Sequence, residues 1–401
     1  MLSLERYRML DLSRTLPGTF ASHVLADLGM DVIRIEETEP RYGMGRDPLS
    51  PANPTPELEE EWAAYNGLAR SKRSLALDLL DPTKRPMAQE VFYRLVKQAD
   101  VVVEGYRPGA VQWMGVDYET VKQHNPRIVY CSLSGYGQTG PYARRPAHGG
   151  QTDGLSGTIR FEDGRPIGNP VPIGDISAAL YATTCITSAL LHREHTAEGQ
   201  YIDIGLAQAG MSALVRAAAN YAREGDPGQN QQPPQGPGFG FLLCKDGKWI
   251  STGNAETIFW ENFCNVLGRP YWIPLRRTTG HERDQMAKDI REIFLTKTRD
   301  EWMRILVEAE TCVGPVNNTA DAFHDPQILH FGMVVEMEHP KFGTIQQMGF
   351  PARLSSGPVK PRSFAPLLGE HTEAVLEELG FEPAEIAELE RTGIVKAWTP
   401  S

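Results

Sequence analysis

The sequence predicts an α/β protein: a parallel sheet with helices on both faces, followed by a smaller α+β domain. Three observations carry this. The first 35 residues read strand, helix, strand; the same alternation recurs to about residue 205; and strand-like runs such as VVVE at 101–104 are continuously apolar, as in strands buried on both faces.

The elements follow in order. MLDL (9–12) is a strand, FASHVLADLG (20–29) has helical spacing with Gly29 as its stop, and DVIRIE (31–36) is the next strand. No GxGxxG turn joins the first two; the turn holds only Pro17-Gly18, so a dinucleotide site is not indicated. Residues 39–62, rich in Pro, Gly and charge, read as a surface excursion. SLALDL (74–79), a helix from Asp81-Pro82 to about Gln98, VVVE and IVYCSLSGY (128–136) continue the alternation. A long apolar helix is predicted over 175–194 and a strand over 199–205. GDPGQNQQPPQGPGFG (225–240) has linker composition and marks a domain boundary. Beyond it come a hairpin turning at Lys245-Asp246-Gly247 and helices near 256–267, 281–295 and 298–309. Strands at 332–338 and 344–349 and two Glu-rich helices close the chain.

With 40 Lys+Arg against 51 Asp+Glu, the net charge of −11 argues against nucleic acid held by general charge, which needs a basic face. The charge is uneven: residues 66–150 hold 12 basic against 7 acidic side chains. A local phosphate-bearing ligand is therefore compatible with an acidic whole. Five scattered cysteines without a CxxC pair indicate neither a disulfide framework nor a zinc site, and no metal is expected. Charges inside the first ten residues and the lack of an 18-residue apolar run point to a cytoplasmic protein without a membrane anchor.

Several motifs read two ways from the residues alone. Asp175, in Ile173-Gly174-Asp175-Ile176 at a helix start, is a favoured N-cap or an ionised nucleophile held beside helix amides. Arg70-Ser71-Lys72-Arg73 is a solvated edge or a phosphate clamp. Tyr106 and Arg107 follow a buried strand, hence lie at the carboxyl edge where open α/β sheets bind ligands, and are nucleotide contacts or an ordinary turn. The loop Ser134-Gly135-Tyr136-Gly137-Gln138-Thr139-Gly140-Pro141 offers amides to an anion or simply turns the chain. His148 is a surface or packing residue unless a partner gives it work. Gly236, Gly238 and Gly240 form a mobile flap or a linker.

Taken together, these segments resemble the class III CoA-transferase family, which includes formyl-CoA:oxalate, carnitine and bile-acid CoA-transferases and, as relatives, α-methylacyl-CoA racemases. The matching stretches are 10–36, 70–82, 99–142 and 173–204, with 313–327 and 365–380 near the end. The resemblance implies a Rossmann-like large domain from 1–225 and 331–401, a small domain from 226–330, and an interlocked homodimer. It implies that Asp175 attacks an acyl-CoA thioester to give a mixed anhydride and then an aspartyl-CoA thioester, and that a free carboxylic acid reverses the steps. Tyr136 and His148 would line the substrate site, with Gly238 and Gly240 in a flap over the intermediate. Coenzyme A, entering as acyl-CoA, would meet Pro17, Lys72, Arg73, Tyr106 and Arg107.

Some positions depart from the family. Glu37 stands where several relatives carry a basic residue, and Trp113 where many carry Arg. Pro237 and Phe239 interrupt the glycine loop, so oxalate is not the expected acceptor. A racemase is the alternative reading: His148 lies eight residues before Ser156, as the racemase histidine does, and would pair with Asp175 as a second base. Gly149 stands where racemases carry Asp, and DISAALYA is closer to the transferases. A silent subunit of a hetero-oligomer is the third reading, against which the retained Asp175 argues.

Overall fold

From the N-terminus the chain runs β1 (Arg8–Asp11), α1 (Leu16–Asp27), β2 (Asp31–Glu36), α2 (Pro56–Tyr65), β3 (Arg73–Leu77), α3 (Arg85–Gln98) and β4 (Val101–Glu104). Next come α4 (Ala110–Met114), α5 (Tyr118–His124), β5 (Val129–Ser134), α6 (Gly149–Ser156), the small hairpin β6 (Arg160–Glu162) and β7 (Arg165–Ile167), and α7 (Ile173–Thr196). Then follow β8 (Gln200–Gly205), α8 (Leu206–Ser212) and α9 (Val215–Glu224). This computed structural model describes residues 2–39, 55–162, 164–225, 236–355 and 357–399. Most of the 39–62 excursion and of the 225–240 linker therefore lies outside the described residues. Where the excursion is described it differs from the reading: 56–65 is a helix, because Thr55 caps it by accepting the Leu58 N–H and Pro56 presets its first turn.

The chain divides into two compact units, residues 1–226 with 332–401, and 227–331. The second unit holds the strands β9 (Phe239–Leu243), β10 (Trp249–Gly253) and, after the helices α10 (Thr257–Val266), α11 (Gly280–Phe294) and α12 (Arg299–Glu308), the strand β11 (Val313–Val316), all antiparallel in the order β11-β10-β9. Trp260, Phe263, Phe294 and Trp302 fill its core, and the Trp302 indole donates to Phe294 O at 2.9 Å. The short helices α13 (Thr319–Phe323) and α14 (Pro326–Phe331) end it.

The first unit resumes with the hairpin β12 (Val334–His339) and β13 (Gly343–Met348), the helices α15 (Thr372–Glu378) and α16 (Pro383–Arg391), and β14 (Val395–Lys396). Its seven-stranded sheet has the order β14-β3-β2-β1-β4-β5-β8, parallel except that β14 runs antiparallel to β3. Alternate side chains serve two cores. Leu10, Ile33, Val102 and Tyr130 meet α3, α15 and α16, while Met9, Val32, Val101 and Val129 meet α1 and α7. The parallel sheet covered on both faces is thus present as the apolar runs predict. By length and composition α7 is apolar enough to span a bilayer; Ala178, Ala182, Ile186 and Leu190 instead bury one side of it against the sheet.

Candidate active site

The strand order reverses between β1 and β4, and in open α/β sheets the crevice outside the carboxyl ends at such a point is the ligand site. The turns after these two strands adjoin: a Cβ on Gly105 would lie 3.8 Å from the Ser13 and Thr15 side chains. Thr15 caps α1 without a side-chain hydrogen bond and Pro17 is buried in the helix's first turn, so the first-turn amides lack a side-chain acceptor. Around this crevice stand Tyr106, half-buried, with its N–H donating to Glu104 Oε2 at 2.7 Å, and Arg107, exposed and without an ion pair among the described residues. Burial pushes the Tyr106 phenol up to about 12, and the nearby Arg14 opposes that rise. Glu104 is wholly buried, and burial lifts its carboxyl to about 7.

Asp175 sits farther along the same edge, at the third position of α7. It is not the N-cap. Pro172 is, and Pro172 has no side-chain acceptor; the cap comes instead from Asp153 on α6, which takes the N–H groups of Ile173 (3.2 Å) and Gly174 (2.9 Å) and the amide of Asn169 (3.1 Å). With the helix amides already neutralised by another anion, Asp175 is not held ionised as expected from the sequence. Its carboxyl rises to about 6, first through burial and then through the Asp153 charge, with His148 opposing. Asp175 Oδ1 is buried without a partner among the described residues, and Oδ2 faces the start of α6, 3.5 Å from where a Cβ on Gly149 would lie.

The glycine loop and α7 meet at the start of α8. A Cβ on Gly174 would lie 2.9 Å from Leu206 O, and Ala207 N donates to Gly135 O at 3.1 Å. Tyr136 therefore shares this region with Asp175; its ring is half-buried and edge-on to Tyr142 at 5.8 Å, while Gln208 fixes its carbonyl at 3.0 Å. His148, exposed, starts α6 and lies close enough for its charge to act on Asp175.

Across almost all of its length, residues 4–372, the chain matches the family model described as CoA-transferase family III. The chain belongs to CoA-transferase family III. It is 32% identical to a human succinyl-CoA:glutarate CoA-transferase, over 98% of this chain and 90% of that protein. It is 29% identical to a formyl-CoA:oxalate CoA-transferase of Shigella sonnei, over 97% and 98%. A CAIB/BAIF family protein from Brucella suis superposes with a TM-score of 0.77 at 28% identity, covering 94% of this chain and 99% of that one.

In this CoA-transferase the basic run at 70–73 is neither a solvated edge nor an open clamp. Arg70 is buried against Asp27 at 2.7 Å. Lys72 is buried with its ammonium shared among Asp11 (3.3 Å), Ser22 (2.7 Å) and Thr19 O (3.1 Å); loss of hydration lowers it to about 8. Arg73 grips Asp31 through two bonds and reaches Glu378, at the amino end of the sheet. The departures at Glu37 and Trp113 come with cations that sequence reasoning missed: Arg14 pairs with Glu37, and the Arg85 guanidinium lies 3.5 Å from the Trp113 ring centroid. Asp153 was missed too, since an acid inside a glycine-rich stretch gives no periodic signal. Gly238 and Gly240 belong to the second unit, where Gly240 stands in the β9–β10 ladder and Gly238 packs on Trp260.

Proposed function

We propose that this CoA-transferase moves CoA between acyl groups through Asp175. The observation that carries the reading is a buried carboxylate at the carboxyl edge of the sheet, with one oxygen unpartnered among the described residues. The Asp175 carboxylate attacks the donor thioester carbonyl, the carbon–sulfur bond breaks, and a mixed anhydride and CoA thiolate result. The thiolate then attacks the aspartyl carbonyl, releasing the donor acid and leaving an aspartyl-CoA thioester. The acceptor carboxylate displaces the thiolate to form a second anhydride, and thiolate attack on the acceptor's acyl carbon completes the exchange. Water is not consumed at any step, so the site must exclude it.

The α1 N-terminus with Arg14 and Arg107, and Arg85 on Trp113, are the candidates for CoA phosphates and adenine. Lys72 works from beneath, fixing Asp11, which accepts from Ser13 N at 2.9 Å and so shapes the turn before Pro17. Tyr136 and His148 flank the reacting carboxylate. The homodimer fits the exposed apolar side chains Leu180, Tyr181, Leu191, Met211, Val215 and Tyr221 of the α7–α9 stretch. The relatives' names make succinyl-CoA with glutarate the first pair to assay.

Asp175→Ala should abolish exchange of CoA between an acyl-CoA and free acids, and hydroxylamine should trap an aspartyl species only in the wild type. Full exchange by Asp175→Ala sinks the proposal. The proximity of His148 to Asp175 keeps racemisation as the second reading, distinguished by α-deuterium exchange without a trapped adduct.

A further inference from the structure

The second unit contains a cavity of about 310 Å³, with Gly238 and Phe239 of the glycine loop in its wall. Asn254, Arg276, Arg277, Thr278, Thr279 and Arg283 line it. Three arginines thus line it beside the N-terminus of α11, whose cap residue Thr279 makes no side-chain hydrogen bond among the described residues, leaving first-turn amides for another acceptor.

Asn254 gives the independent sign that a ligand belongs there. It is 1% exposed, and its Oδ1 accepts the Cys312 N–H at 2.9 Å, which fixes the other end of the amide as nitrogen. That Nδ2 is buried and has no acceptor among the described residues. A buried donor left unmet is costly, and Asn254 stands in the cavity wall.

The local charge is only partly spent. Arg276 donates to Ala255 O, Arg283 holds Asp284 at 2.7 Å, and Glu282 accepts the Thr278 hydroxyl. Arg277 is exposed and makes no ion pair or side-chain hydrogen bond among the described residues.

We propose that this cavity binds an oxyanion, a carboxylate or phosphate group carried by a ligand. Reactants of CoA transfer offer both, as the second carboxylate of a dicarboxylic acid or a phosphate of CoA. Binding here requires no turnover, so the proposal stands whether or not Asp175 is the nucleophile.

The test is calorimetric titration of the full chain with inorganic phosphate, glutarate, CoA and 3′-dephospho-CoA at fixed ionic strength. At least one should bind saturably, and Arg277→Gln should weaken it fivefold or more with an unchanged melting temperature, as should Arg283→Gln. If Arg283→Gln proves unstable, the Arg277 arm decides, since that exposed side chain holds no partner among the described residues. Arg277-dependent binding of CoA but not of 3′-dephospho-CoA assigns the site to the CoA 3′-phosphate. Arg277-dependent binding of both assigns it to the CoA diphosphate, and Arg277-dependence of glutarate alone assigns it to the acid. Inorganic phosphate bound in an Arg277-dependent way supports the site without either. No saturable binding by any probe, or affinities unchanged by Arg277→Gln, overturns the proposal.

Discussion

Two carboxylates compete for one helix end, and the loser of that competition is the proposed nucleophile. Because Asp153 takes the α7 amides, Asp175 is left with burial and a like charge beside it, and among the groups facing it only His148 on α6 offsets them, α8 contributing no titratable side chain. A nucleophilic carboxylate must be ionised, so transfer should rise with pH through about 6. Asp153→Asn should move that acidic limb of the kcat/KM profile downward by roughly half to one pH unit, since it removes the neighbouring charge. A limb that stays put would show that burial alone sets it. Glu104 allows a separate stability test. Its folded carboxyl holds a proton up to about 7 against an ordinary 4.5, so the folded state binds more protons across that window and loses stability as pH rises through it. Glu104→Gln should therefore raise stability at pH 8 by on the order of 2 kcal/mol and change it little at pH 5, read as melting temperature at both.

At the scale of elements, the site depends on how closely α7 and α8 approach. Gly174 and Gly210 face each other there: a Cβ on Gly210 would lie 3.2 Å from Gly174 Cα, and one on Gly174 would press on a backbone carbonyl that cannot swing away. Gly174→Ala should cost roughly 1–3 kcal/mol in urea unfolding and displace Asp175, lowering kcat more than stability alone explains. An unchanged midpoint would mean the helices separate freely. The sequence makes α7 plain through a long apolar stretch free of Pro, with its one Gly at the start, and it makes the buried strands plain through unbroken apolar runs. It hides α6, because Gly149, Gly150 and Gly154 have low helix propensity and only tertiary packing makes them helical. It also hides which partner each cation of the 70–73 run will find, since Asp27, Asp11 and Asp31 are brought to it by the folding of other segments. Asp175 itself was legible as a residue, but its cap was not, because Asp153 lies 22 positions earlier and reaches it only through the α6 packing.

For the whole molecule, the proposed homodimer makes a direct prediction. Leu180→Glu combined with Val215→Glu places charges on an apolar stretch left exposed among the described residues, and should convert a dimer to monomer by light scattering with loss of transfer. A wild type that is already monomeric and active would remove the dimer from the mechanism. The C-terminal segment is tied back just as firmly within one chain. Arg362 donates to the carbonyls of Ala26, Gly29 and Met30, closing the end of α1, while β14 closes the sheet on β3.

That return path imposes an order of events during synthesis. Strand β3 leaves the ribosome with its outer edge bare, and the two residues that cover it, Val395 and Lys396, are about 320 residues downstream. At roughly 5–20 residues per second the wait is on the order of tens of seconds. Residues 227–331 emerge in the interval with their whole core in hand, so the inserted unit can fold first. The larger unit, which holds Asp175, is finished only once β14 has emerged.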